Sequence, residues 1–219
     1  TRLTFERELE RETPPEILRS NLSNVVLYLK ALSVINVLEF DFIDPPDAKS
    51  LRSSLLTLYR LGAIDRKGVI TSVGKAMTCL PLEPCLSRTV VHVLGSTTCK
   101  TSIRRVFNIA SMLSSGDVLL NSREDDRDDV VRCSRLVHKS GDHFTYDSIL
   151  TEFENVVKKG RDERGWCSDR ALRHRTLRHA LRVRAQLEAL TSDVLDVAGF
   201  VVDDSETKQQ SSDSIVRGL

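Results

Sequence analysis

Along the first third of the chain, apolar residues recur at helical spacing and stop at proline, glycine or capping residues. Leu18, Leu22, Val25, Val26, Leu29 and Leu32 stand three or four apart, which lays one apolar stripe along a helix running to about Ser33. Thr13-Pro14-Pro15-Glu16 supplies its start: a cap residue, prolines suited to a first turn and a capping-box acid. Asn21 offers a second, internal cap. After Phe40 to Asp44 the Pro45-Pro46 pair forbids continuation, and Asp47 can cap a second helix carrying Leu51, Leu55, Leu58 and Leu61, closed by Gly62. Ala63-Ile64-Asp65 and Val69-Ile70-Thr71 then flank a turn at Arg66-Lys67-Gly68, which reads as a small β-hairpin. Ser72 caps a third helix from Val73 to Leu80, stopped by Pro81. Helices with a small hairpin beside the third predict a winged helix.

From Leu86 onward strand signals vanish. Helical segments are expected at Ser87 to Leu94, Lys100 to Leu113, about Arg127 to His138, Thr145 to Lys159 and Ser168 to Leu190, which makes the second half a helical bundle. Ser114 to Asp129 is polar at both ends and reads as a surface loop. From Ser192 the composition is acidic and polar and predicts loose order, apart from a short apolar patch at Val197 to Val202. The fold class is therefore mainly α, a winged helix followed by a helical bundle.

A hydrophobic content of 40% over 219 residues supports a buried core. No apolar run approaches the roughly 20 residues that span a bilayer, so a membrane partner is not expected. The opening TRLTFERELERE lacks a secretory signal's apolar centre and reads as mid-chain. The five cysteines (Cys79, Cys85, Cys99, Cys133, Cys167) form no CxxC pair, so neither a disulfide framework nor a zinc knuckle is suggested, and a reducing compartment fits best. The formal net charge of +1 conceals an asymmetry. Lys158, Lys159, Arg161, Arg164, Arg170, Arg173, Arg175, Arg178, Arg182 and Arg184 crowd one stretch, and a concentrated basic face can hold phosphates on a nearly neutral protein.

Catalytic and metal-binding constellations are not evident. Gly68 and Gly74-Lys75 stand one position too far apart for a phosphate-binding loop, and Ala76 follows the lysine where Ser or Thr is required. His138 with His143, and His174 with His179, are five apart, which does not align two imidazoles on one helical face. Asp125, Asp126, Asp128 and Asp129 share only acidity with a calcium loop. No serine or cysteine sits in a nucleophile motif. No catalytic residue, metal site or cofactor is assigned to this chain.

Several ordered strings resemble one family. TPPEILRSNLSNVVLYLKALSVINVLEFDFIDPP at Thr13 to Pro46 is similar to the segment that follows the second RecA-like domain of DEAH-box RNA helicases. The likeness continues through LYRLGAIDRKGVITSVGKAM, LPLEPCLSR, SMLS at Ser111, GDHFT at Gly141, WC at Trp166 and the R-x-L-x-x-A-x-x-V-R-x-Q-L pattern from Arg175 to Leu187. The resemblance implies a linker from an upstream RecA-like domain at residues 1–12, a winged helix at 13–87, a helical ratchet domain at 88–190, and an acidic, partly disordered tail at 191–219 leading toward an oligonucleotide-binding barrel. On this reading the chain is cut at both ends. ATP and magnesium would be held by RecA-like domains outside it, and a glycine-rich G-patch-type activator would dock on the winged helix. Phe144 stands where the family usually has Leu, and Arg170-Ala171 where it has Asn and an aromatic. RDDVVR and WCSD favour ribosome-biogenesis members over splicing members, hence a nuclear or nucleolar location, otherwise cytoplasmic.

Arg175, Arg178, His179 and Arg182 recur at spacings of three and four, so they form a cationic strip on the last long helix, opposite Leu177, Ala180, Leu181 and Leu187. Phosphates are identical along RNA, so such a strip allows stepping without sequence preference. These four residues, with Asp142 and His143 in the turn before another helix, are the candidate single-stranded RNA contacts, although a helix cap is the favoured reading of Asp142. Arg19 and Asn21 are the candidate interdomain residues. The rival reading is a stand-alone winged-helix adaptor that binds protein and no RNA. A sequence-specific DNA reader finds only Lys49, Arg52 and Arg60 on the second helix.

Overall fold

The computed structural model describes residues 13, 15–96, 99–119 and 136–199. The chain divides into two compact units, Thr1–Gly74 and Lys75–Leu219, and the division falls inside a helix.

In the first unit, a 3-10 turn at Glu16–Leu18 precedes α1 (Ser23–Ala31), and the single helix expected from Thr13 to Ser33 is broken between them. The break follows from Asn21, whose side-chain oxygen accepts from the Ser23 backbone N–H at 2.9 Å and so starts α1 anew. Just past the end of α1, Ser33 is left-handed (φ 68°) and the Val34 N–H reaches back to the Leu29 carbonyl. A second 3-10 turn (Val37–Glu39) leads to α2 (Ala48–Arg60). Gly62 (φ 71°) closes α2 as predicted, with the Ala63 N–H donating to the Leu58 carbonyl. Leu22, Val26, Leu27, Val37, Leu51 and Leu58 are buried, and α1, α2 and the second turn pack on one another.

The expected β-hairpin is not formed as strands among the described residues. A single antiparallel bridge joins Ile64 to Ile70. The reason lies in Asp65, whose carboxylate accepts from the Lys67 and Val69 N–H groups at 2.8 and 2.9 Å, so a donor that could extend a ladder is spent on a side chain. α3 (Ser72–Thr78) follows. Its cap is Thr71, not Ser72: the Thr71 hydroxyl accepts from the Gly74 N–H at 3.0 Å and donates to the Gly62 carbonyl at 2.7 Å. A Cβ at Gly74 would lie 2.1 Å from the Ala63 carbonyl oxygen. Gly74 is thus a close-packing glycine.

The second unit holds α4 (Pro84–Ser96), α5 (Lys100–Ser114), α6 (Asp142–Lys158), α7 (Glu163–Ser168), α8 (His174–Ala189) and α9 (Thr191–Ala198). The predicted helix Arg127 to His138 lies outside the described residues except for Leu136–His138, which are not helical. Also outside them are Cys133, the acidic run at Asp125 and the tail from residue 200.

Two expectations here are corrected. The helix expected from Ser168 to Leu190 begins only at His174, because Leu172 bridges Leu119 and the Arg173 N–H donates to the Val118 carbonyl at 2.8 Å, holding residues 169–173 out of helical register. Ala171 takes the left-handed conformation (φ 51°) at this break. The loose order expected from Ser192 is instead α9 up to Ala198. Val194 is fully buried, α9 packs on α4, and Gly199 (φ 73°) ends it.

A core of Met112, Val118, Leu136, Ile149, Leu150, Phe153, Cys167, Leu172, Leu177 and Ala180 binds α5, α6, α7 and α8 together. Phe153 is fully buried, its ring 5.8 Å from Trp166 and 6.0 Å edge-on from His174. Among the described residues, no helix is long and apolar enough to cross a membrane.

Candidate nucleic-acid interface

At about 100° per residue, positions 175, 178, 179 and 182 of α8 fall within one arc of roughly 100°. Arg175, Arg178, His179 and Arg182 are all exposed there. Leu177, Ala180 and Leu187, on the opposite side, are fully buried. The helix is fixed at its start by residues 117–119: the Thr176 hydroxyl donates to the Asp117 carbonyl at 3.2 Å and Arg173 Nε to the Leu119 carbonyl at 3.1 Å. The arc thus stands on a rigid element.

Several of the basic residues crowded into this stretch are already engaged. Arg178 is held by Glu163 of α7, with Nε 2.7 Å from Oε2 and Nη2 2.5 Å from Oε1, and His174 Nε2 lies 2.9 Å from the same Oε2. Hydrogen bonding from His174, opposed by desolvation and reinforced by Arg178, holds the Glu163 carboxyl below its usual range. Arg184 faces away from the arc and is buried. Its Nη1 donates to Glu154 Oε2 and Asn108 Oδ1, both at 3.1 Å, and its Nη2 to Glu154 Oε1 at 2.9 Å. Glu154 also receives Arg104 and, at 2.9 Å, Lys158. Burial resists its ionisation, but hydrogen bonds from Arg184 and Lys158 and the charges of Arg184 and Arg104 outweigh it, leaving the carboxyl at about 2. Asn108 completes the network through Asp147 (2.7 Å) and Thr151 (3.2 Å).

Asp142 and His143 belong to a different helix, the first turn of α6, and both are exposed. Asp142 makes no capping hydrogen bond; the cap position is Gly141 (φ 114°), and the Asp142 carboxylate instead opposes the positive end of the helix. Among the described residues no hydrogen bond or ion pair joins Asp142 or His143 to the α8 arc. His138 lies just upstream of α6. Its ring packs on Phe144 at 5.2 Å, and its Nδ1 accepts from the Ser140 N–H at 3.1 Å. Among the described residues no three His, Cys, Asp or Glu side chains gather at a possible metal site. Arg170 lies over the Trp166 ring at 4.5 Å and donates to the Trp166 carbonyl.

In the first unit Arg19 and Asn21 are exposed, and the Asn21 side chain accepts from the Ser23 N–H at the start of α1. An open cleft of about 500 Å³ is lined by Lys30, Ile35, Leu38, Leu56, Tyr59 and Arg66, among others. Lys30 is buried, donates to the Ile35 carbonyl at 2.6 Å, and is pushed below its ordinary pKa by that burial. Ile35 and Ile43 are 91% and 100% exposed.

Residues 54–82 match the family model for the helicase-associated domain (HA2), winged-helix. The chain carries a helicase-associated segment. The matched stretch runs from the middle of α2 through the Ile64–Ile70 bridge and α3 to Leu82. A winged-helix assignment and a mainly helical structure therefore agree, while the wing itself is reduced to one bridge. Sequence reasoning did not single out Glu163, Glu154 or Asn108. Glu163 lies in another helix, with no periodic link to Arg178. Arg184, in contrast, keeps step with Leu177, Ala180 and Leu187, a pattern that marks the buried face.

Proposed function

We propose that this chain is the accessory region of an ATP-dependent DEAH-box RNA helicase, in which α8 forms part of the wall around single-stranded RNA. The observation that carries the reading is the exposed arc of Arg175, Arg178, His179 and Arg182 on a helix anchored at its start, in a chain with a helicase-associated segment. Guanidinium groups along one arc suit a ligand whose charge repeats along its backbone. RecA-like domains elsewhere in the polypeptide would bind ATP and magnesium, and their movement would be coupled to RNA stepping through this region. Exposed Arg19 and Asn21 face such a domain in this proposal, and Asp142 and His143 add contacts at the RNA. Ribosome biogenesis, in a nuclear or nucleolar setting, is the preferred process.

A second reading is supported by the first unit. Ile35, Ile43, Leu38, Leu56 and Tyr59 are exposed, several of them around one cleft, as a protein-docking surface requires. An adaptor that binds only protein, or a G-patch-type activator seated there, would use this surface without RNA.

The two readings separate in one titration. Fluorescence anisotropy of labelled single-stranded RNA with this chain, at two salt concentrations, should show binding that weakens steeply as salt rises. Absence of binding at low salt would favour the adaptor.

A further inference from the structure

The exposed arc is not uniformly available. Arg178 offers the fork that bidentate recognition of a phosphate needs, and Glu163 already fills it, presenting two oxygens at 2.7 and 2.5 Å as a phosphate would. The two partners differ in freedom. Glu163 sits in α7, which is capped by Asp162 through the Arg164 and Gly165 N–H groups, both at 3.1 Å, and anchored by buried Cys167 and by Trp166 against Phe153. His174 holds the same carboxylate from the side. The Arg178 side chain is 46% exposed and long, so it is the partner able to swing outward.

Resting on the phosphate-strip reading, we propose that Glu163 is an internal competitor, a carboxylate that occupies the Arg178 fork in place of an RNA phosphate and must be displaced for full engagement of the arc. Glu163 thereby sets how tightly the strip holds phosphate and how readily the strand is released. Weak retention suits a surface that must let go of each phosphate in turn, because a strip with every guanidinium free would hold the strand more tightly. An opposite role is also physically coherent, in which Glu163 merely orients Arg178 toward the ligand. The two roles predict opposite signs.

The deciding experiment measures binding of labelled single-stranded oligouridylate to the 219-residue chain, across a salt series, for wild type, Glu163→Gln, Arg178→Ala and the double variant. Glu163→Gln should tighten binding by about two- to fivefold, the size of an exposed ion pair's contribution. The slope of log affinity against log salt should steepen by about 0.7, one further phosphate contact on a single strand. Adding Arg178→Ala should abolish the gain. Unchanged or weaker binding by Glu163→Gln overturns the proposal. Glu163→Ala, measured beside it with thermal unfolding of each variant, should give the same sign and guards against a folding defect in either one. A separate Arg175→Ala, Arg182→Ala variant reports on the strip itself. If that variant binds as wild type, the underlying reading fails and takes this proposal with it; if it weakens binding while Glu163→Gln has no effect, only the competitor role is lost.

Discussion

Arg184 and Glu154 meet inside the helical unit as a two-pronged pair, Nη2 to Oε1 at 2.9 Å and Nη1 to Oε2 at 3.1 Å, with side chains only 8% and 12% exposed. Together with Asn108 they tie α5, α6 and α8 by polar contacts beside the apolar core. Removing one partner of a buried pair leaves the other charged without compensation, which costs more than the pair contributes. Arg184→Met should therefore destabilise the chain by about 2 to 4 kcal/mol, less than for an isolated pair because Arg104 and Lys158 still reach Glu154. Urea unfolding would measure it, and a midpoint unchanged from wild type would refute a structural role for the network.

The same carboxylate sets an acid limit. Glu154 is held at about 2, below its ordinary 4.5, so the folded state binds this proton less readily than the unfolded chain. Its contribution is fully present above about pH 4.5 and is lost as pH falls toward 2, amounting to about 3 kcal/mol. Glu163 shifts in the same direction and adds to the loss. Unfolding free energy should decline on acidification from pH 5 to 3, and Glu154→Gln, although less stable at neutral pH, should show a shallower decline. A parallel decline in both proteins would count against Glu154 as the source.

Gly74 tests the packing around the Ile64–Ile70 turn. Gly74→Ala places a methyl group against the Ala63 carbonyl oxygen and close to the Ile70 side chain. Backbone has to move to admit it, at a cost of about 1 to 3 kcal/mol. The thermal midpoint should drop, and a midpoint equal to wild type would refute close packing at this position.

How much of this was legible in the sequence depended on whether the deciding contact was local. Leu51, Leu58 and Gly62 announced α2 and its end because stripe and C-cap are read within one helix. The cap at Asn21 was equally local. The wing was overestimated because Asp65 diverts the Val69 N–H into a side-chain turn, a choice that β-propensity does not register. The late start of α8 was not legible because its cause, Leu119 against Leu172, lies more than fifty residues away in sequence. At the candidate site, periodicity placed Arg175, Arg178, His179 and Arg182 on one arc, yet it could not show that Glu163 had claimed Arg178. Arg184 was counted with the basic face from composition, yet it stands on the side of Leu177, Ala180 and Leu187 and is buried.

In the proposed function the α8 arc holds RNA phosphates. Its most direct test is the salt dependence of single-stranded RNA binding for wild type and for the Arg175→Ala, Arg178→Ala, Arg182→Ala variant. Loss of two to three phosphate contacts should weaken binding and flatten the log–log salt slope by about 1.4 to 2. Equal affinity and equal slope in the two proteins would contradict it.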